Sequence, residues 1–92
     1  METRVVHNED AGRYELYVAD TLTSFADYRR EGDALVFDHT ETDVRYQGRG
    51  LAAKLVEGAL EDVRKKGLHV VPACWFVADF IGSNPEYGDL VA

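Results

Sequence analysis

At 92 residues the chain has room for one small domain, and the expectation is a single domain over residues 1–92. Hydrophobic residues make up 46%, which favours a folded globule over a disordered chain, with a thin margin of stability at this size. The net charge of -7, from 17 acidic and 10 basic residues, argues against a broad nucleic-acid footprint.

Residues 3–7 read as a short strand with Val5 and Val6 as its apolar part, and residues 8–12 as a hairpin turn rich in Asn, Asp and Gly. Residues 13–18 form a second strand in which Tyr14, Leu16 and Val18 share one face, while Tyr17 keeps the other from being wholly polar. Residues 19–23 read as a turn and residues 24–30 as a third strand, with a short helix as the alternative. After a turn at residues 31–33, a fourth strand covers residues 34–42. Four strands joined by short turns predict an antiparallel meander.

Residues 50–66 carry a helical period. Leu51, Leu55, Ala59 and Val63 lie along one stripe, widened by Ala52, Val56 and Leu60. Lys54, Glu57, Glu61, Asp62, Arg64 and Lys65 fill the remainder, with Glu61 and Lys65 as a favourable i,i+4 pair. Basic residues in the last turn and Gly67 after it mark the end. Residues 68–71 form a fifth strand, stopped by Pro72. Strand, helix and strand in that order predict a crossover and a parallel pairing of strands four and five. Residues 73–81 read as a second helix anchored by Trp75, Asp79, Phe76 and Phe80, and the tail offers Tyr87, Leu90 and Val91 for packing. The expected fold class is therefore α/β of the mixed α+β kind: an antiparallel meander plus one parallel β-α-β step, with five strands and two main helices.

The chemistry concentrates between the fourth strand and the first helix. There Gln47-Gly48-Arg49-Gly50-Leu51-Ala52 places two glycines in a turn flanked by Arg45 and Arg49, with Lys54 nearby. The turn lacks the Gly-Lys-Ser/Thr ending of a P-loop, and the second half of a dinucleotide fold is absent. Glycines let a ligand approach the backbone, and a helix N-terminus presents unpaired N–H groups that favour an anion. Two readings stand: a phosphate site, or a tight strand-to-helix turn with a glycine cap.

His39 and Glu41 are two apart and share a face of a regular strand. Each is a candidate general base, and each can equally be structural. Cys74 is the one cysteine, so no intrachain disulfide forms and no Cys-rich metal site exists. His7 and His69 lie too far along the chain to join His39 at a metal, and none is expected. No run approaches the roughly 18 apolar residues of a membrane span, and the N-terminus lacks an apolar core of signal-peptide length. The cytoplasm is the expected compartment, with neither nucleic acid nor membrane as partner.

Several segments together resemble the Gcn5-related N-acetyltransferases, and more narrowly the minimal, single-domain YjdJ-type branch of that superfamily. They are Gly12-Arg13-Tyr14-Glu15-Leu16, His39-Thr40-Glu41-Thr42, Tyr46 through Ala52, Leu55-Val56, Val71-Pro72-Ala73-Cys74, and Asn84-Pro85-Glu86-Tyr87-Gly88-Asp89-Leu90-Val91. The resemblance implies an acetyl-CoA-dependent N-acetyltransferase whose fourth and fifth strands splay to admit acetyl-CoA or CoA. It implies that the pantetheine arm pairs with the backbone about Thr40, Glu41, Thr42, Asp43 and Val44. It likewise implies that the pyrophosphate sits on the N–H groups of Gln47, Gly48, Arg49, Gly50, Leu51 and Ala52, with Arg45 counted among the cofactor-binding residues, and that a small-molecule or protein amine attacks the thioester directly. In that setting Cys74 has three readings: acyl-accepting nucleophile, general acid toward the leaving thiolate, or packing residue. The rival reading is a CoA-binding module with little catalysis. Asn84 stands where this branch commonly has histidine, and Thr42 where a branched apolar residue is usual. A monomer and a homodimer are both compatible with the exposed strand edges.

Overall fold

The computed structural model describes residues 2–92. Five strands form one sheet in the order β1-β2-β3-β4-β5: β1 (Thr3–Asn8), β2 (Arg13–Val18), β3 (Thr21–Glu31), β4 (Ala34–Thr42) and β5 (His69–Pro72). The first three pairings are antiparallel and β4 pairs β5 in parallel, as the crossover requires. The crossover is α1 (Leu51–Lys65); α2 (Trp75–Ser83) follows β5, and short 3₁₀ turns occupy Val44–Tyr46 and Pro85–Leu90.

Helix α1 lays Leu51, Leu55, Val56, Ala59, Leu60 and Val63 on one face of the sheet, against Tyr14, Leu16, Ala26, Leu35, Phe37 and Val70. Each Leu or Val buried there contributes about 1.5–3 kcal/mol relative to exposure, so this layer carries the domain. The stripe matches the sequence period, apart from Ala52, which is half-buried. Gly58 sits where α1 crosses β1, and a Cβ there would lie 2.7 Å from the Val5 side chain. Tyr87 and Leu90 of the tail are buried, while Val91 stays partly exposed as its backbone bridges to Val70.

Four expectations need correction. Strand β3 begins at Thr21, because the turn is only Ala19 and Asp20, with Ala19 in the left-handed region (φ 52); the short-helix alternative for residues 24–30 is excluded. Strand β5 and helix α2 each start later than expected, the latter because Cys74 is extended and caps the helix. In α2 the buried anchors are Val77 and Ile81, with Phe76 and Phe80 packing beside them, whereas Trp75 and Asp79 face solvent. The i,i+4 ion pair of α1 is Asp62–Lys66 at 2.7 Å, and Glu61 instead accepts from the Tyr87 hydroxyl.

Candidate functional site

The sheet opens where β5 stops. The parallel ladder ends at Phe37 and Pro72, and the last link is the Cys74 N–H donating to the Phe37 carbonyl at 2.8 Å. The chain then turns into α2, while β4 runs on to Thr42 with only β3 beside it. A cleft of about 490 Å³ occupies the gap. Thr40, Glu41 and Thr42 form one wall, Trp75 and Phe76 another, and the end is closed by Tyr46, Gln47, Gly48 and the first turn of α1.

That end has the features that favour an anion. Gly48 and Gly50 have φ of 79° and 74°, and a Cβ at either would meet nothing within 4 Å, so backbone conformation and not crowding calls for glycine. Gly50 caps α1 without a side chain, and the first turn holds no acidic residue. The Lys54 N–H bonds the Gly50 carbonyl at 3.2 Å, which leaves the N–H groups of Leu51, Ala52 and Ala53 without an intrahelical acceptor. The positive end of the helix dipole opens on the cleft.

The basic residues beside this turn are placed differently from a simple cluster. Arg45 forks onto Asp43 at 3.1 Å through both Nε and a terminal nitrogen, and its N–H also donates to that carboxylate at 2.9 Å. These bonds hold the Asp43 carboxyl below its usual range and raise the guanidinium. Asp43 and Val44 lie past the end of β4; the Asp43 N–H donates to Thr23, and Val44 is exposed. Arg49 lies over the Tyr46 ring, 5.3 Å from its centroid. Lys54 lines a separate depression on the β1 side of α1. Gln47 ties the loop to β4 by donating from its amide to the Thr42 carbonyl at 3.2 Å.

The placement of His39 and Glu41 turns on a bulge. The β3–β4 register pairs Tyr28 with Phe37 but Asp27 with His39, so Asp38 is an extra residue in β4. Beyond it, Thr40 and Thr42 continue the face of Leu35 and Phe37 toward the helices, and His39 and Glu41 turn to the other face. His39 Nε2 lies 3.2 Å from Glu41 Oε1, and the His39 ring is 6.1 Å from that of Phe25. Both are exposed, and of the two only Glu41 lines the cleft.

Cys74 sits just behind the wall. It is 9% exposed, and its Sγ is 3.5 Å from the Thr40 hydroxyl. Burial pushes the thiol up, but hydrogen bonds from the Thr40 hydroxyl and from the Val77 and Phe76 N–H groups at the start of α2 outweigh it and hold the pKa below its usual value. Asn84 donates to the Phe80 carbonyl at 2.8 Å and finishes α2, so it performs a capping task.

Tyr46, Ala53, Trp75 and Phe76 line the cleft without having been singled out in the sequence as ligand contacts. Tyr46 adjoins the glycine turn, which was a usable signal; the two aromatics arrive only through the fold. Among the described residues no group of three or more His, Cys, Asp or Glu is placed to hold a metal ion.

A family model described as GCN5-related N-acetyl-transferase matches residues 13–90. Protein NATD1 from Bos taurus is 36% identical over 59 residues, which is 63% of this chain and 52% of that protein. Protein NATD1 from Homo sapiens is 34% identical over 59 residues, with shares of 63% and 52%. The chain thus spans about half the length of these curated relatives. Among solved structures, a GCN5-like protein from Staphylococcus aureus superposes with a TM-score of 0.72 at 19% identity, covering 97% of this chain and 87% of that one. The ribosomal-protein-S18-alanine N-acetyltransferase from Escherichia coli superposes with a TM-score of 0.58 at 22% identity, covering 63% and 38%. These two likenesses concern the fold alone. The family match runs from β2 through the last turn and includes both walls of the cleft, and on that ground the chain belongs to the GCN5-related N-acetyltransferases.

Proposed function

We propose that the chain is an acetyl-CoA-dependent N-acetyltransferase that moves the acetyl group to an amine by direct attack between β4 and β5. The observation that carries this reading is the cleft between β4 and α2, with a helix N-terminus that has no side-chain cap at one end and a strand edge left uncovered by β5 along its side. The pyrophosphate of acetyl-CoA would sit on the N–H groups from Gln47 to Ala52, with Arg49 beside them. The pantetheine arm would run along β4 at Thr40 to Thr42, reaching toward Asp43 and Val44. Backbone N–H groups on that edge would polarise the thioester oxygen. The amine nitrogen attacks the thioester carbonyl, the C–S bond breaks, and CoA leaves as a thiolate that takes up a proton. The proton lost from the amine goes to Glu41, directly or through water, with His39 orienting the carboxylate.

A second route has its own support in the lowered thiol pKa of Cys74 and its contact with Thr40. There the Cys74 thiolate attacks the thioester, CoA leaves, and the amine then takes the acetyl group from sulfur. Direct transfer stands ahead because Cys74 is buried and does not line the cleft. We read residues 1–92 as one acetyltransferase domain of the YjdJ-type branch, acting in the cytoplasm on a small-molecule or protein amine. Strand β1 has an edge that a homodimer would cover, and the monomer leaves it open.

Calorimetry with acetyl-CoA and with CoA tests the reading. Saturable heat is expected from both, and its absence would sink the proposal. Heat without acetyl transfer across an amine panel would favour a binding module instead. A mass increase after incubation with acetyl-CoA, lost in Cys74→Ala, would establish the covalent route.

A further inference from the structure

Trp75 is 76% exposed, an unusual state for the one tryptophan of the chain. It opens α2 but takes no part in that helix's buried face, which is Val77 and Ile81. Its ring stands edge-on to Phe76, with centroids 5.8 Å apart at 80°, and together they form the cleft wall that faces β4. An indole is among the largest apolar groups a protein can bury. Here no core uses it, and it borders a cavity, which is the arrangement of a contact kept for a ligand.

Resting on the acyl-CoA reading of this cleft, the geometry points to Trp75 as the wall that closes over the pantetheine arm of acyl-CoA and sets affinity for the arm. Two contacts assign it to the arm and not to the nucleotide. The Cys74 N–H bond to Phe37 and the Cys74–Thr40 contact at 3.5 Å pin the residue preceding Trp75 to the middle of β4. The glycine turn lies beyond the far end of that strand. The chemistry agrees: the arm is a neutral chain of amides and methylenes, suited to an indole with an apolar face and one N–H donor. The pyrophosphate needs the N–H groups of α1 instead.

Because Trp75 is the sole tryptophan, its emission reports on this one position. Titration with CoA is expected to shift or quench the emission saturably. Titration with 3′,5′-ADP, which carries the 3′-phosphate and the nucleoside-side phosphate of the pyrophosphate without the arm, is expected to give calorimetric heat and leave the emission unchanged. Trp75→Ala should weaken CoA about tenfold, leave 3′,5′-ADP affinity and the thermal midpoint as they were, and raise KM for acetyl-CoA with kcat little changed. Trp75→Phe should recover most of the loss. Equal CoA affinity in wild type and Trp75→Ala, or a full emission change with 3′,5′-ADP alone, would overturn this assignment while acyl-CoA binding stands. No CoA heat in the wild-type protein would remove the acyl-CoA reading itself, and this assignment with it.

Discussion

Thr40 lies where two lines of chemistry meet. Its backbone belongs to the stretch of β4 that pairs with β3 but that β5 leaves uncovered, and its hydroxyl is 3.5 Å from Cys74 Sγ. That hydroxyl is first among the bonds that offset burial and lower the thiol pKa. Thr40→Val keeps the side-chain shape and removes the bond. The rate of Cys74 alkylation by iodoacetamide should therefore rise at a higher pH in the variant than in wild type, and coincident profiles would show that the α2 N–H groups suffice. Glu41 supports a separate prediction. It alone of the paired His39 and Glu41 lines the cleft, so Glu41→Gln should lower kcat about 10²–10⁴-fold, the usual range for a general base. His39→Asn should cost less, because His39 reaches the cleft only through Glu41. Equal losses in the two variants would argue that His39 takes the proton. The spacing of these two residues was legible in the sequence, and it put them on one face correctly. Which face was not legible, since it depends on the extra residue at Asp38, and nothing local at that position announces a bulge.

Among the elements, α1 was the most legible, because its apolar period extends over many turns and ends in basic residues before Gly67. The β4–β5 parallel step followed from the order of elements alone. The turn after β2 was legible but its two-residue extent at Ala19–Asp20 was not, since it lacks the Asn-Gly or Asp-Gly pairing that marks two-residue hairpins. Trp75 also misled, because an aromatic at a helix start reads as core until the packing of Val77 and Ile81 is known. The role of Gly58 was equally hidden: helical propensity treats mid-helix glycine as a defect, and its cause is a contact with a strand far away in sequence. Gly58→Ala gains up to about 1 kcal/mol of propensity. It also drives a methyl group to 2.7 Å from Val5 Cγ2, an overpacking that costs typically about 1–3 kcal/mol. The clash involves the rigid branch point of Val5 as well as its tip, so the cost should win and the urea midpoint should fall. Adding Val5→Ala should restore part of it, and a stabilised Gly58→Ala single variant would contradict the close approach of α1 to β1.

At the scale of the whole molecule, α1 separates two poles. With 15 residues at about 1.5 Å each it is roughly 22 Å long, and its N-terminus faces the cleft. At its other end a polar network closes the sheet. Lys66 Nζ donates to His7 Nδ1 and to Asp62, both at 2.7 Å, and the Tyr14 hydroxyl donates to Asp62 at 2.7 Å. An ammonium can only donate, so His7 Nδ1 is unprotonated and Nε2 carries the proton that it donates to Tyr28 at 2.6 Å. The His7 ring also stacks on Tyr14, with centroids 4.2 Å apart. Burial first, and then the Lys66 charge, lower the His7 pKa below 6.5 against the opposing pull of Asp62 and Glu9. The folded state therefore holds neutral His7 where the unfolded chain already binds a proton. Between the lowered pKa and about 6.5 the unfolded state binds more protons, so stability rises with pH across that window and is lost as pH falls through it. Asp62, also lowered, adds a loss at more acidic pH, below its usual 3.8. Urea midpoints measured from pH 7.5 down to 5 should fall for the wild type. In His7→Gln, which cannot titrate there, the midpoint should start lower and decline less steeply. Parallel slopes for the two proteins would mean that His7 is already free to protonate in the folded state, and that the Lys66 bond does not hold it neutral. The CoA affinity of His7→Gln should match the wild type, because the network and the cleft lie at opposite ends of α1.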